Sequence, residues 1–98
     1  MRVGLSSSKR IGYALGMEHP GLVIERGRQT RGLSKTDLAR RLGVSVQYVS
    51  DVTKERRGIS VALAISLERV LGSPASYWLG LQTEYDLHRA RERVGITR

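Results

Sequence analysis

Within six residues the chain places Val46, Gln47, Tyr48 and Asp51, side chains suited to probing a surface of hydrogen-bond donors and acceptors. The Gln47 amide carries an acceptor beside a donor, which matches adenine N6 and N7, and Val46 can touch a thymine methyl. Asp51 accepts only. It can take a hydrogen bond from cytosine N4 or, equally, repel a phosphate. Tyr48 can stack on a sugar-phosphate or pack back on the first helix. Around these four stand hydroxyls and cations suited to phosphate: Ser34, Lys35, Ser45, Ser50, Lys54, Arg56 and Arg57. Contacts of that kind hold a duplex in register without reading its bases. Taken singly, each cation is as well explained as an ordinary solvated side chain.

The elements that must position these groups are legible in the same stretch. Leu38 and Leu42, four apart, form one apolar stripe, and Val49 and Val52, three apart, form the one that faces it. Between them Gly43 can take the positive φ that stops a helix, and Ser45 can cap the next one. Ala39 is small where the second helix must cross. These demands describe a helix-turn-helix, whose second helix is shaped to enter a DNA major groove. Its first helix opens with Ser34-Lys35-Thr36-Asp37, a capping box with a shortened carboxylate. Ser34 and Ser45 are principally caps, whatever else they touch.

The flanks read as helices too, which makes the expected fold class all-α with five helices. Pro20 to about Arg31 forms the first, with Gly27 in its middle. Val46 to about Lys54 forms the third, and Ser60 caps a fourth that ends at Leu71. Ser73 is expected to cap a fifth, with Pro74 in its first turn. Leu63, Leu67, Val70 and Leu71 give the fourth helix its buried face. In the fifth, Trp78, Leu81, Tyr85 and His88 share a stripe. Trp78 belongs to the core, whereas Tyr85 and Leu87, together with Leu81, lie further out and suit the seam of a homodimer. Residues 1–17, rich in serine, glycine and basic side chains, read as a flexible arm, or as an extension ahead of a start at Met17. Residues 18–93 then form the DNA-binding and dimerisation domain, and 94–98 a tail.

Composition narrows the function classes. The 98 residues carry 17 Lys and Arg against 9 Asp and Glu, a formal charge of +8, which points first to phosphate as a partner. Cysteine is absent, so disulfides and thiolate metal sites are excluded, and a reducing cytoplasm is the expected location. The longest purely apolar run, Val61 to Ile65, is far too short to span a bilayer. His19 and His88 stand alone, without ligands at metal spacing. No phosphate-cradling glycine loop, nucleophile elbow or committed carboxylate pair is present, so neither an enzyme nor a cofactor is expected.

Further motifs surround this frame: His19-Pro20-Gly21, Gly32-Leu33-Ser34, Arg57-Gly58-Ile59-Ser60, Leu71-Gly72-Ser73-Pro74, and Tyr77-Trp78-Leu79-Gly80-Leu81-Gln82 followed by Tyr85-Asp86-Leu87. In this order, from His19 to about Ala90, the chain resembles the Xre/Cro-like DNA-binding family and, within it, the HigA-type antitoxins of bacterial toxin–antitoxin modules. The resemblance implies a homodimer on a palindromic operator in double-stranded DNA. It also implies a cognate HigB/RelE-like toxin, an mRNA endonuclease that the antitoxin neutralises. A plain Xre-type regulator without a toxin would carry the same helix-turn-helix. Three positions depart from the family pattern. Val46 stands where arginine is usual, Asp51 where a basic residue is frequent, and Gly27 where an apolar core residue is common.

Overall fold

The computed structural model describes residues 18–95. Among them run five helices and no strand: α1 (Pro20–Thr30), α2 (Lys35–Leu42), α3 (Val46–Thr53), α4 (Val61–Leu71) and α5 (Ala75–Arg93). The all-α, five-helix expectation is met. The expected arm at residues 1–17, with the alternative start at Met17, and positions 96–98 of the tail lie outside the described residues.

Four of the five helix starts satisfy a free N–H by a local side-chain cap. At α2 the Ser34 hydroxyl oxygen accepts from the Asp37 N–H (2.9 Å) while the Asp37 carboxylate accepts from the Ser34 N–H (3.3 Å), a complete capping box. The Ser34 side chain and N–H, ahead of the Arg40 guanidinium, hold the Asp37 carboxyl below its ordinary pKa. Ser45 and Ser60 accept from the N–H groups of Tyr48 and Leu63, both at 3.0 Å, and so start α3 and α4. The start of α1 uses a residue the sequence left without a role: His19 Nδ1 accepts from the Gly21 N–H at 2.8 Å. At α5 the expectation fails. Pro74, not Ser73, is the cap residue, and no side chain bonds there. Proline's fixed φ and missing N–H remove part of the need for a cap, and the Ser73 carbonyl instead accepts from the Trp78 indole at 3.1 Å.

The core gathers Ile24 from α1, Leu38, Ala39 and Leu42 from α2, Val49 and Val52 from α3, Leu63, Ala64, Leu67 and Leu71 from α4, and Trp78 from α5. Burying each leucine-sized side chain contributes about 1.5–3 kcal/mol before chain entropy is charged against it. The helices meet in a fixed pattern: α3 rests on α2 and α1, and α4 packs against α5 and α2. Ala39 and Ala64 are buried in this core. Between α2 and α3, Gly43 takes φ of 77°, and both its N–H and that of Val44 bond the Ala39 carbonyl (2.9 and 3.0 Å). That closure turns the chain within three residues and aims α3 outward. The N-terminus of α1 then clamps α3 from behind. A methyl group on Gly21 would sit 1.9 Å from the Val52 carbonyl oxygen, so only glycine lets the two backbones touch.

Candidate nucleic-acid interface

With Val49, Val52 and Thr53 turned into the core, the opposite side of α3 is left open, and Val46 and Gln47 stand exposed at its first turn. The remaining residues singled out on α3 are not equivalent. Tyr48 packs partly against the core, and the Arg57 guanidinium lies 3.9 Å over its ring centre, a cation–π contact. Of the two sequence readings, inward packing therefore describes Tyr48 in the free protein. Asp51 is recessed, with its side chain only 25 % exposed, and Ser50 is half-buried. Asp51 Oδ1 accepts from Gln47 Nε2 at 2.9 Å and pairs with the Arg56 guanidinium at 3.7 Å.

The cations that follow α3 are placed by an unusual helix end. Lys54 is the C-cap residue just past α3 and is exposed. Glu55 adopts φ of 63°, a left-handed conformation that favours glycine. It allows the Glu55 N–H to reach the Val52 carbonyl (3.0 Å) and the Arg56 N–H to reach the Asp51 carbonyl (2.8 Å). This is the Schellman arrangement, built here on a glutamate. It turns the chain so that Arg56 and Arg57 emerge exposed beside α3.

The same loop is fastened from the other end of the chain. Gln82 of α5 accepts from the Ile59 N–H through Oε1 at 2.9 Å and donates from Nε2 to Asp86 at 3.0 Å. It reaches Ile59 only because Gly58 has no side chain; a methyl there would lie 2.8 Å from Gln82 Oε1. Gln82 is thus a site-positioning residue that sequence reasoning passed over. Its signal was the presence of Arg57-Gly58-Ile59-Ser60 and Leu79-Gly80-Leu81-Gln82 in one chain, two motifs that meet in space.

At the start of α2, Lys35 is half-buried, and Ser34 is exposed with its oxygen accepting the capping bond. Ser45 has the same character at the start of α3. The Ser45 hydroxyl retains a hydrogen to donate to a phosphate. Not every arginine serves this face. Arg28 donates to the Leu33 carbonyl (2.7 Å) and pairs with Glu25, whose carboxyl it holds below the ordinary range. Arg31 donates to the Leu71 carbonyl and Arg69 to the Arg41 carbonyl, each at 2.8 Å, tying helix ends together. These three of the 17 basic side chains are therefore structural.

On α5, Leu81 packs against the core. Tyr85, expected beyond the helical body, is instead half-buried, its ring edge-on to His19 at 4.7 Å. Its position i+7 from Trp78 returns it to the inner side of the helix. Leu87 is exposed. Among the described residues no group of three His, Asp or Glu side chains could hold a metal ion, and no helix is long and apolar enough to cross a membrane.

The helix-turn-helix family HTH_3 matches residues 24–78, more than half of the sequence, from the middle of α1 to Trp78. The chain belongs to this family. Within it, this helix-turn-helix protein is 39% identical over 75 residues to virulence-associated protein I of Dichelobacter nodosus, covering 76% of this chain and 69% of that one. Its fold is similar to that of the Pseudomonas aeruginosa antitoxin HigA, solved with the higBA promoter: TM-score 0.77 and 38% identity, over 81% of this chain and 87% of the other. Antitoxin GraA superposes comparably, with TM-score 0.75 and 36% identity over 81% and 86% of the two chains. The resemblance to HigA-type antitoxins with an Xre-like helix-turn-helix is thereby shown.

Proposed function

We propose that the protein is a cytoplasmic antitoxin and autoregulatory repressor. As a dimer it binds a palindromic operator in double-stranded DNA, and it neutralises a cognate HigB/RelE-like mRNA endonuclease. The observation that carries the DNA half is the open face of α3, with Val46 and Gln47 exposed and flanked by Lys54, Arg56 and Arg57. Gln47 reads adenine and Val46 a thymine methyl, with Tyr48 and Asp51 set back beside them on α3. Lys35, Lys54, Arg56 and Arg57 take phosphates, and Ser34 and Ser45 at the capped starts of α2 and α3, with Ser50 from within α3, add neutral donors. The antitoxin half rests on the similarity to HigA and GraA. Residues 18–93 carry both DNA binding and dimerisation. Of the three seam residues, Tyr85 and Leu81 already have partners within the chain, so exposed Leu87 is the one a second copy would cover.

The test is co-expression with the neighbouring small open reading frame. A product that stops growth alone, is tolerated beside this protein and co-purifies with it supports the reading. A harmless neighbour that does not co-purify leaves a plain Xre-type regulator. Leu87→Asp should convert the dimer to a folded monomer in light scattering, and a variant that stays dimeric would remove Leu87 from the seam.

A further inference from the structure

A hydrogen bond and an ion pair converge on one oxygen of Asp51: the Gln47 amide from the preceding turn of α3 donates at 2.9 Å, and the Arg56 guanidinium from the loop beyond it pairs at 3.7 Å. The third link in this arrangement is the backbone bond from the Arg56 N–H to the Asp51 carbonyl. Gln47 and Arg56 are exposed, while Asp51, between them, is recessed. A carboxylate so placed is poorly presented to a base edge, and its charge is already met by a cation.

We infer that Asp51 is a positioning residue that orders the Gln47 amide and the Arg56 guanidinium before DNA arrives, and that it reads no base itself. The chemistry fits. The amide nitrogen carries two N–H groups, and committing one to Asp51 leaves the other, with Oε1, as the acceptor–donor pair that adenine requires. An unconstrained glutamine can rotate its amide and present either end, so its discrimination is blunted. Holding it removes that freedom before binding, and ordering one flexible side chain is worth about 2- to 10-fold in affinity. This also accounts for an acidic residue on a face that meets phosphates: Arg56 cancels its charge while Asp51 aims Arg56 beside the helix.

The inference rests on Gln47 reading a base, so the experiment separates the two. The full chain and its Q47A, D51A, D51N and Q47A/D51A variants are each used to select duplexes from a random pool, and preference is measured base pair by base pair. Melting temperature confirms that each variant folds. Q47A should lose on the order of 10-fold in preference at one base pair per half-site. D51A should lose about 2- to 10-fold at that same base pair. D51N should restore most of it, because the asparagine carbonyl can still accept from Gln47. The double variant should be no worse there than Q47A. Loss at a different base pair, adding to that of Q47A and moving from cytosine to adenine in D51N, would show that Asp51 reads directly and overturn the inference. So would tighter binding of D51A to every sequence, which would show simple repulsion. If Q47A keeps the preference intact, the reading by Gln47 itself falls, whatever Asp51 does.

Discussion

Alanine at positions 21 and 27 of the same helix should move stability in opposite directions. Helix propensity favours both changes, by about 0.8–1 kcal/mol in a helix interior. At position 27 nothing opposes the gain. The new methyl meets Leu71 Cδ1 at 3.4 Å and Cδ2 at 3.7 Å, ordinary van der Waals contact with a side chain already in the core. Gly27→Ala should therefore stabilise by about 1 kcal/mol and raise the midpoint of a domain this size by roughly 4–8 °C. At position 21 the methyl falls 1.9 Å from the Val52 carbonyl oxygen and 2.8 Å from its carbon. Those are backbone atoms that no rotamer change can move, so α1 must lift from α3. Overpacking of this kind costs about 1–3 kcal/mol or more, and position 21 lies in the first turn, where the propensity gain is small. Gly21→Ala should lose at least about 2 kcal/mol, lowering the midpoint by roughly 8 °C or more. Thermal melts by circular dichroism give the midpoints, and urea titrations with an unchanged slope confirm that the native and denatured ensembles are comparable. Because Val52 belongs to α3, Gly21→Ala should also weaken DNA binding. A Gly21→Ala protein as stable as the parent, or a destabilised Gly27→Ala protein, would refute the packing described for α1.

Burial holds the His19 imidazole below its ordinary pKa, so on acidification the unfolded chain takes up a proton first. Stability present above about pH 6.5 should fall as the pH drops below it, and urea midpoints of His19→Ala should lose that dependence while lying lower at neutral pH. Gln82→Ala leaves the Ile59 N–H without its acceptor and should cost about 1 kcal/mol in urea unfolding, with weaker binding to all duplexes. Arg56→Ala and Arg57→Ala should weaken operator and random DNA by similar factors, each flattening the log–log salt slope in a fluorescence titration by about one unit.

The helical frame was legible because its signals are local. The apolar stripes of α2 and α3, the Ser34 and Ser45 caps and the turn at Gly43 act over at most a few residues, and all appear where the sequence put them. What was missed depends on residues far apart in the chain. His19 is a cap that also packs on Tyr85, 66 positions later, so neither role shows in its neighbours. Tyr85 looked free because the sequence does not say where α1 lies against α5. The left-handed turn at Glu55 carries no glycine to announce it, and Gly58, three residues on, serves contact with Gln82 instead. The hydrogen bond from Gln47 to Asp51 has ordinary i, i+4 spacing. Its meaning appears only once Arg56 is seen to share the same oxygen.

The contact between Gly58 and Gln82 binds two positions into a single heritable unit. Any side chain at 58 displaces the glutamine, and a shorter side chain at 82 leaves the Ile59 N–H bare, so neither position is free to drift while the other stays fixed. Among homologues the two should covary. A loop graft intended to give this fold a new DNA preference would have to transplant residue 82 along with residues 54–60, although it lies on a different helix and touches no DNA group in the scheme above.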